Sequence, residues 1–132
     1  MSELVIRARA SIHSARLILD AGDANSAISR AYYGMFDLAR AALLAIDPKL
    51  VVAKTHATII SRFSRHLVKD RDFPLELGRA LRRAHDLRLV SDYSQSLATI
   101  DDARRVVEAA EQFLAAVTTF VSVAVEKGGD CP

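Results

Sequence analysis

Apolar residues recur along this chain at helical spacing, in five segments separated by turn-forming residues. The second segment is the clearest. Ile28, Tyr32, Met35, Ala39, Ala42 and Ile46 follow one another at alternating steps of four and three residues, which places them on one face of an α-helix. Beside them runs a second stripe, Ala27, Ala31, Gly34, Leu38, Ala41 and Ala45, made almost wholly of small side chains. Two adjacent apolar stripes mark a helix buried over a wide arc, with one side able to approach another helix closely. This segment is therefore expected to be the central helix. Asp23 or Asn25 can cap its first N–H groups. Its end falls before Asp47-Pro48, because the residue preceding a proline is pushed out of the α region.

The flanking segments follow the same logic. A first helix is expected from about Ser2 to Ala21, with Val5, Ile12, Leu17 and Leu19 as its apolar positions and Gly22 as its left-handed stop. A third begins near Lys54-Thr55 and runs to about Lys69, with His56, Ile60, Phe63 and Leu67 on one face. Pro74 suits the first turn of a fourth helix, where its missing N–H costs nothing. That helix runs to about Ser91 on a stripe of Leu77, Ala80, Ala84 and Leu87. Thr99 and Asp102 form a capping box for the fifth helix, whose stripe reaches about Glu126 before Gly128-Gly129 end it. The links are short, except for looser stretches at 47–53 and 92–98. Long amphipathic helices joined by short links pack as antiparallel neighbours. The expected fold is all-α: an up-and-down antiparallel helical bundle of four to five helices. It forms one domain over residues 1–127, with a disordered polar tail at 128–132.

Composition narrows the class further. At 132 residues one domain is the natural expectation, and 51% hydrophobic residues exclude disorder. The lone Cys131 excludes a disulfide scaffold, and five Gly with three Pro leave little room for the turns of a β-sandwich. Glu3, Arg7 and Arg9 break any early apolar run of the kind a secretory signal needs. The apolar stretch from Phe113 to Val125 is interrupted by Thr118, Thr119 and Ser122, and it is shorter than the roughly 20 residues of a membrane span. A cytoplasmic protein without a membrane partner is expected. The net charge of +2 conceals segregation: nine basic residues against four acids lie between Lys54 and Arg88, and six acids against three basic residues between Asp101 and Asp130. Most of the cations are arginines, whose planar fork suits phosphate and carboxylate. The middle segment can attract nucleic acid or an acidic partner, or can simply be a set of solvated helix faces.

Some polar residues stand where a core would not place them. His56 shares the apolar face of the third helix. His85, Arg88 and Asp92 are spaced three and four apart on the fourth, on a face about 100° from Ala84 and Leu87 that borders the core. Tyr93 follows at once, and Tyr32 and Tyr33 lie on the central helix. Together these residues could line a polar cleft in which Arg stabilises phosphorane charge while His or Asp carries a proton. Spacing alone favours a plainer reading, an i,i+4 ion pair of Arg88 with Asp92 and half-buried polar tips. No Glu-x-x-His, no zinc-ligand spacing and no Gly-rich phosphate loop occurs. No metal or cofactor is expected.

Three segments carry a resemblance. Asp23 to Phe36 (DANSAISRAYYGMF), Lys54-Thr55-His56, and Leu81 to Tyr93 (LRRAHDLRLVSDY) are similar to stand-alone prokaryotic HEPN domains, in the same order and over most of the chain. The resemblance implies a small helical bundle, a homodimer, and a minimal nucleotidyltransferase as partner in a toxin–antitoxin-like pair. Catalytic members of that family are metal-independent ribonucleases with Arg, four to six residues, then His, late in a helix. By position Arg88 resembles the motif Arg and Tyr93 the Tyr that often follows the His, but Ser91-Asp92 stands where the His belongs. Arg79 and His85 have the spacing, yet sit about 240° apart round the helix. The candidate catalytic residues are thus Arg88, Asp92, Tyr93 and His56, and the candidate nucleotide- or phosphate-binding residues are Lys54, His56, Tyr32, His85 and Arg88. Two functions follow. One is a module that binds a nucleotide, RNA phosphate or the nucleotidyltransferase, with Tyr93 as a potential nucleotide acceptor; the other is an endoribonuclease toxin. A ligand-free structural dimer, joined through the small-residue stripe, is the third.

Overall fold

The computed structural model describes residues 2–93 and 98–129, with only the backbone for 91–93 and 125–129. Helices α1 (Glu3–Asp20), α2 (Ala24–Ile46), α3 (His56–Phe63), α4 (Leu75–Tyr93) and α5 (Ile100–Gly129) account for nearly all of it, and the described residues contain no strand. The helix starts are chemically specified. Ser2, Asp23, Thr55 and Thr99 each accept a backbone N–H of the first turn with a side-chain oxygen, satisfying donors that have no partner within the helix. The capping box closes, with Asp102 accepting in return from the Thr99 N–H. Gly22 ends the α1 turn at φ +90°, a conformation open to glycine because it lacks a Cβ.

Helix α2 is the centre of the bundle and touches α1, α3, α4 and α5. It runs antiparallel to α1: Arg7 pairs with Asp37 at one end, and Ile12 meets Gly34 nearer the middle. The small-residue stripe is what lets them approach. A Cβ built on Gly34 would lie 2.6 Å from Ile12 Cγ1 and 3.3 Å from the Ala8 carbonyl oxygen. Ala27, Ala31, Gly34, Leu38 and Ala41 are buried, so this stripe is spent inside the chain rather than on a second copy, and the idea of a dimer joined through it loses its basis. Tyr32, Met35, Phe63, Leu81 and Phe113 are fully buried, each contributing roughly 1.5–3 kcal/mol of apolar burial.

The structure departs from the sequence reading at several points. Leu17 is 56% exposed, and the buried face of α1 is Val5, Ala8, Ile12, Ala15 and Leu19. Leu17 stands two residues, about 200° round the helix, from both Ala15 and Leu19, and so off that stripe. The third helix is α-helical only to Phe63, and Ser64–Lys69 forms a π-helical turn. The looser link after α2 contains a 3₁₀ turn over Pro48–Val51. Asp92 and Tyr93 belong to the last turn of α4, and α5 continues through Gly128-Gly129, since glycine weakens a helix by about 1 kcal/mol without forbidding it. The helix thus runs past its expected end near Glu126; residues 130–132 lie outside the described residues. By length and composition Ile100–Ala124 could cross a bilayer, but here Ala103, Val106, Val107, Ala110, Phe113 and Val117 form a wall of the core.

Candidate functional site

Three helices bring polar side chains to one place. Helix α2 supplies Tyr32, Tyr33 and, one turn on, Phe36. The first turn of α3 supplies His56. Helix α4 supplies His85 and Arg88, three residues apart and therefore on one face. The His56 ring stacks on Phe36 with centroids 4.0 Å apart and an interplanar angle of 18°. It also lies 6.2 Å from the His85 ring, and Tyr32 is within 5.4 Å of His85. The Arg88 guanidinium carbon sits 4.8 Å from the Tyr33 ring centre and 5.7 Å from that of Tyr32, within cation–π range of both.

A hydrogen bond ties the core to the cluster. The Tyr32 oxygen is 2.8 Å from His56 Nδ1, and Tyr32 is fully buried. With the Tyr32 O–H donating, the neutral imidazole carries its proton on Nε2; with Nδ1–H donating, Nε2 is the acceptor. Burial pushes the His56 pKa below its ordinary value, and the nearby Arg88, His85 and Arg40 add to the depression. Burial raises the Tyr32 pKa well above the usual phenol range, against the lowering by Arg88. Nδ1 of His85 is buried and has no hydrogen-bond partner among the described residues. An aromatic floor, a neutral imidazole, a second imidazole with an unused nitrogen and an oriented guanidinium suit an anionic oxygen and a proton in transit.

The structure thus brings together Tyr32, His56, His85 and Arg88 of the expected set. Lys54 is exposed in the turn two residues before His56. Arg79 pairs with Glu76 at 3.4 Å on the surface, away from this cluster, as its angular offset requires. Asp92 and Tyr93 lie in the last turn of α4, but their side chains lie outside the described residues. Phe36 was missed. It is four residues from Tyr32 on the same face of α2, and that spacing was its only signal. Among the described residues no group of His, Cys, Asp and Glu could hold a metal ion.

Comparison with known proteins places the chain in a family. The family model for the HEPN domain matches residues 1–120. A UPF0332 protein of Gloeobacter violaceus is 33% identical over 122 residues, covering 91% of this chain and 94% of its own. A UPF0332 protein of Thermotoga maritima is 29% identical, over 87% of this chain and 86% of its own. A Methanocaldococcus jannaschii protein with the name "Putative toxin" is 28% identical, over 84% of this chain and 81% of its own. With its helical order, its central-helix signature and a family match across nine-tenths of its length, this chain belongs to the HEPN domain family.

Proposed function

We propose that this protein is a toxin-like HEPN protein that works with a minimal nucleotidyltransferase, as a homodimer, and holds the phosphate of a nucleotide or RNA in the interhelical cluster. The Arg88 guanidinium, laid over Tyr33 and Tyr32 beside two imidazoles, carries the reading. A guanidinium offers five N–H donors in a rigid fork, and its packing on the rings holds it in place before a ligand arrives. The relatives named as toxins support the toxin-like role, and the resemblance to HEPN proteins encoded beside nucleotidyltransferases supports the partner. Titration calorimetry with nucleoside mono- and triphosphates tests the binding. Losing a charge-assisted contact of about 1.5–3 kcal/mol in Arg88→Ala should weaken affinity roughly ten- to a hundredfold. No binding, or binding indifferent to Arg88, rejects it. Co-purification with the nucleotidyltransferase, and light scattering of the isolated chain, test the two assemblies.

A second reading, a metal-independent endoribonuclease, draws on one specific observation. Two imidazoles lie 6.2 Å apart beside Arg88; burial disfavours the charged form of His56, and Nδ1 of His85 has no hydrogen-bond partner among the described residues, so the pair offers a nitrogen fit to accept a proton. RNA cleavage indifferent to chelator and abolished by both Arg88→Ala and His56→Ala would support this reading. Cleavage that survives both substitutions would identify a contaminant.

A further inference from the structure

Tyr33 has a second neighbourhood. Its ring carries Arg88 on the cluster side, yet the residue is 39% exposed and also lines a surface groove between α1 and α2 with Ile18, Ser26, Ser29 and Arg30. Ser26, Ser29, Arg30 and Tyr33 are spaced three, one and three residues apart on α2, so one helix face presents them together. No acid lines the groove. Arg30 is exposed and, like Arg9 of α1, makes no ion pair among the described residues, whereas Arg7, Arg16 and Arg40 each have an acidic partner.

We infer that this groove is a second subsite, which takes the phosphodiester and base of the nucleotide adjoining the one held at Arg88. The inference rests on the phosphate-binding reading of the Arg88 cluster and extends it from a mononucleotide to an oligonucleotide strand. Tyr33 is the shared element: its exposed ring offers a stacking surface of the kind single-stranded nucleic acids use. Arg30 presents a fork to the next phosphate, the serine hydroxyls can donate to its oxygens, and Ile18 gives the sugar or base an apolar contact. The track is short. One turn below, Asp23 accepts the Ser26 N–H at 3.2 Å, and its carboxylate opposes a further phosphate.

The test compares adenosine 5′-monophosphate with a 5′-phosphorylated, 2′-O-methylated adenosine dinucleotide, which resists cleavage through the 2′ oxygen. Binding is measured by calorimetry to the wild-type chain and to Arg30→Ala, Arg30→Lys and Arg88→Ala. The dinucleotide should bind about tenfold more tightly than the monophosphate. Arg30→Ala should erase that gain while leaving monophosphate affinity unchanged, Arg30→Lys should restore part of it, and Arg88→Ala should weaken both ligands. Equal affinity for the two ligands, or a gain that survives Arg30→Ala, overturns the second subsite while monophosphate binding that depends on Arg88 leaves the first reading standing. Displacement of the dinucleotide by a glutamate oligopeptide of equal charge overturns the nucleotide assignment. Failure of the wild-type chain to bind either ligand overturns the reading beneath it.

Discussion

The hydroxyl of Tyr32 and Nδ1 of His56, 2.8 Å apart, couple the core to the candidate site. Tyr32→Phe removes the hydroxyl and leaves a half-buried imidazole nitrogen without its partner, a loss of about 1–3 kcal/mol. Its clearest sign would be a His56 pKa displaced from its wild-type value in an NMR titration, because one of the restraints on its protonation has gone. The wild-type chain has a pH dependence of its own. His56 titrates below 6.5 when folded, so between that value and its folded pKa the unfolded chain binds more protons and stability rises with pH. Thermal melts should therefore show stability falling as pH drops from about 6.5 and levelling off below the folded pKa, and His56→Gln should flatten that fall. Gly34 makes an opposite kind of demand. Alanine there would gain about 1 kcal/mol of helix propensity. Its Cβ, however, would sit 2.6 Å from Ile12 Cγ1 and 3.3 Å from a backbone oxygen, and overpacking of this kind costs typically 1–3 kcal/mol. The steric term is the larger, so Gly34→Ala should lower the melting temperature by several degrees.

Between elements, the placement of His56 depends on the segment that precedes it. The Arg62 guanidinium donates to the carbonyl oxygens of Leu50 and Val52 at 3.0 and 2.8 Å, tying the 3₁₀ turn to α3 and setting where that helix begins. Arg62→Ala should raise amide exchange over residues 50–53 by about tenfold or more, the equivalent of at least 1.4 kcal/mol of local opening, and weaken ligand binding without touching the ligand. The Arg16–Glu111 pair between α1 and α5 is bidentate but part-exposed, so Arg16→Ala should change stability by less than about 1 kcal/mol. At this scale the sequence was informative where the signal is local. Asp23, Thr99 and the stripe of α2 mark caps and faces through their immediate neighbours, and the structure places them accordingly. Leu17, one of the apolar positions expected on α1, lies off the buried stripe of Ala8, Ile12, Ala15 and Leu19, an offset its spacing already carried. Phe36 shows the limit of such local signals at the site. The spacing of Phe36 from Tyr32 was visible, but its contact with His56 exists only once α2 and α3 have packed.

Taken as one charged body, the molecule poses a question that salt can answer. Nine basic residues lie between Lys54 and Arg88, and a broad electrostatic surface over that segment would release many counterions on binding a strand. The proposed binding mode implies a smaller footprint. Arg62 and Arg71 are engaged with backbone carbonyls and Arg79 with Glu76. The proposed site draws on Arg88, with Arg30 from outside the basic segment. For single strands the logarithm of affinity falls with the logarithm of salt by about 0.7 per phosphate neutralised, so two contacts give a slope near −1.4, or roughly 25-fold for a tenfold rise in salt. Dinucleotide and longer oligonucleotide should share that slope, and Arg30→Ala should make it shallower by about half. A slope steeper than about −4 for a long strand would instead require several of the exposed arginines of α4 to meet phosphates. That outcome would move the nucleic-acid surface away from the Tyr33 edge and onto the outer face of the fourth helix.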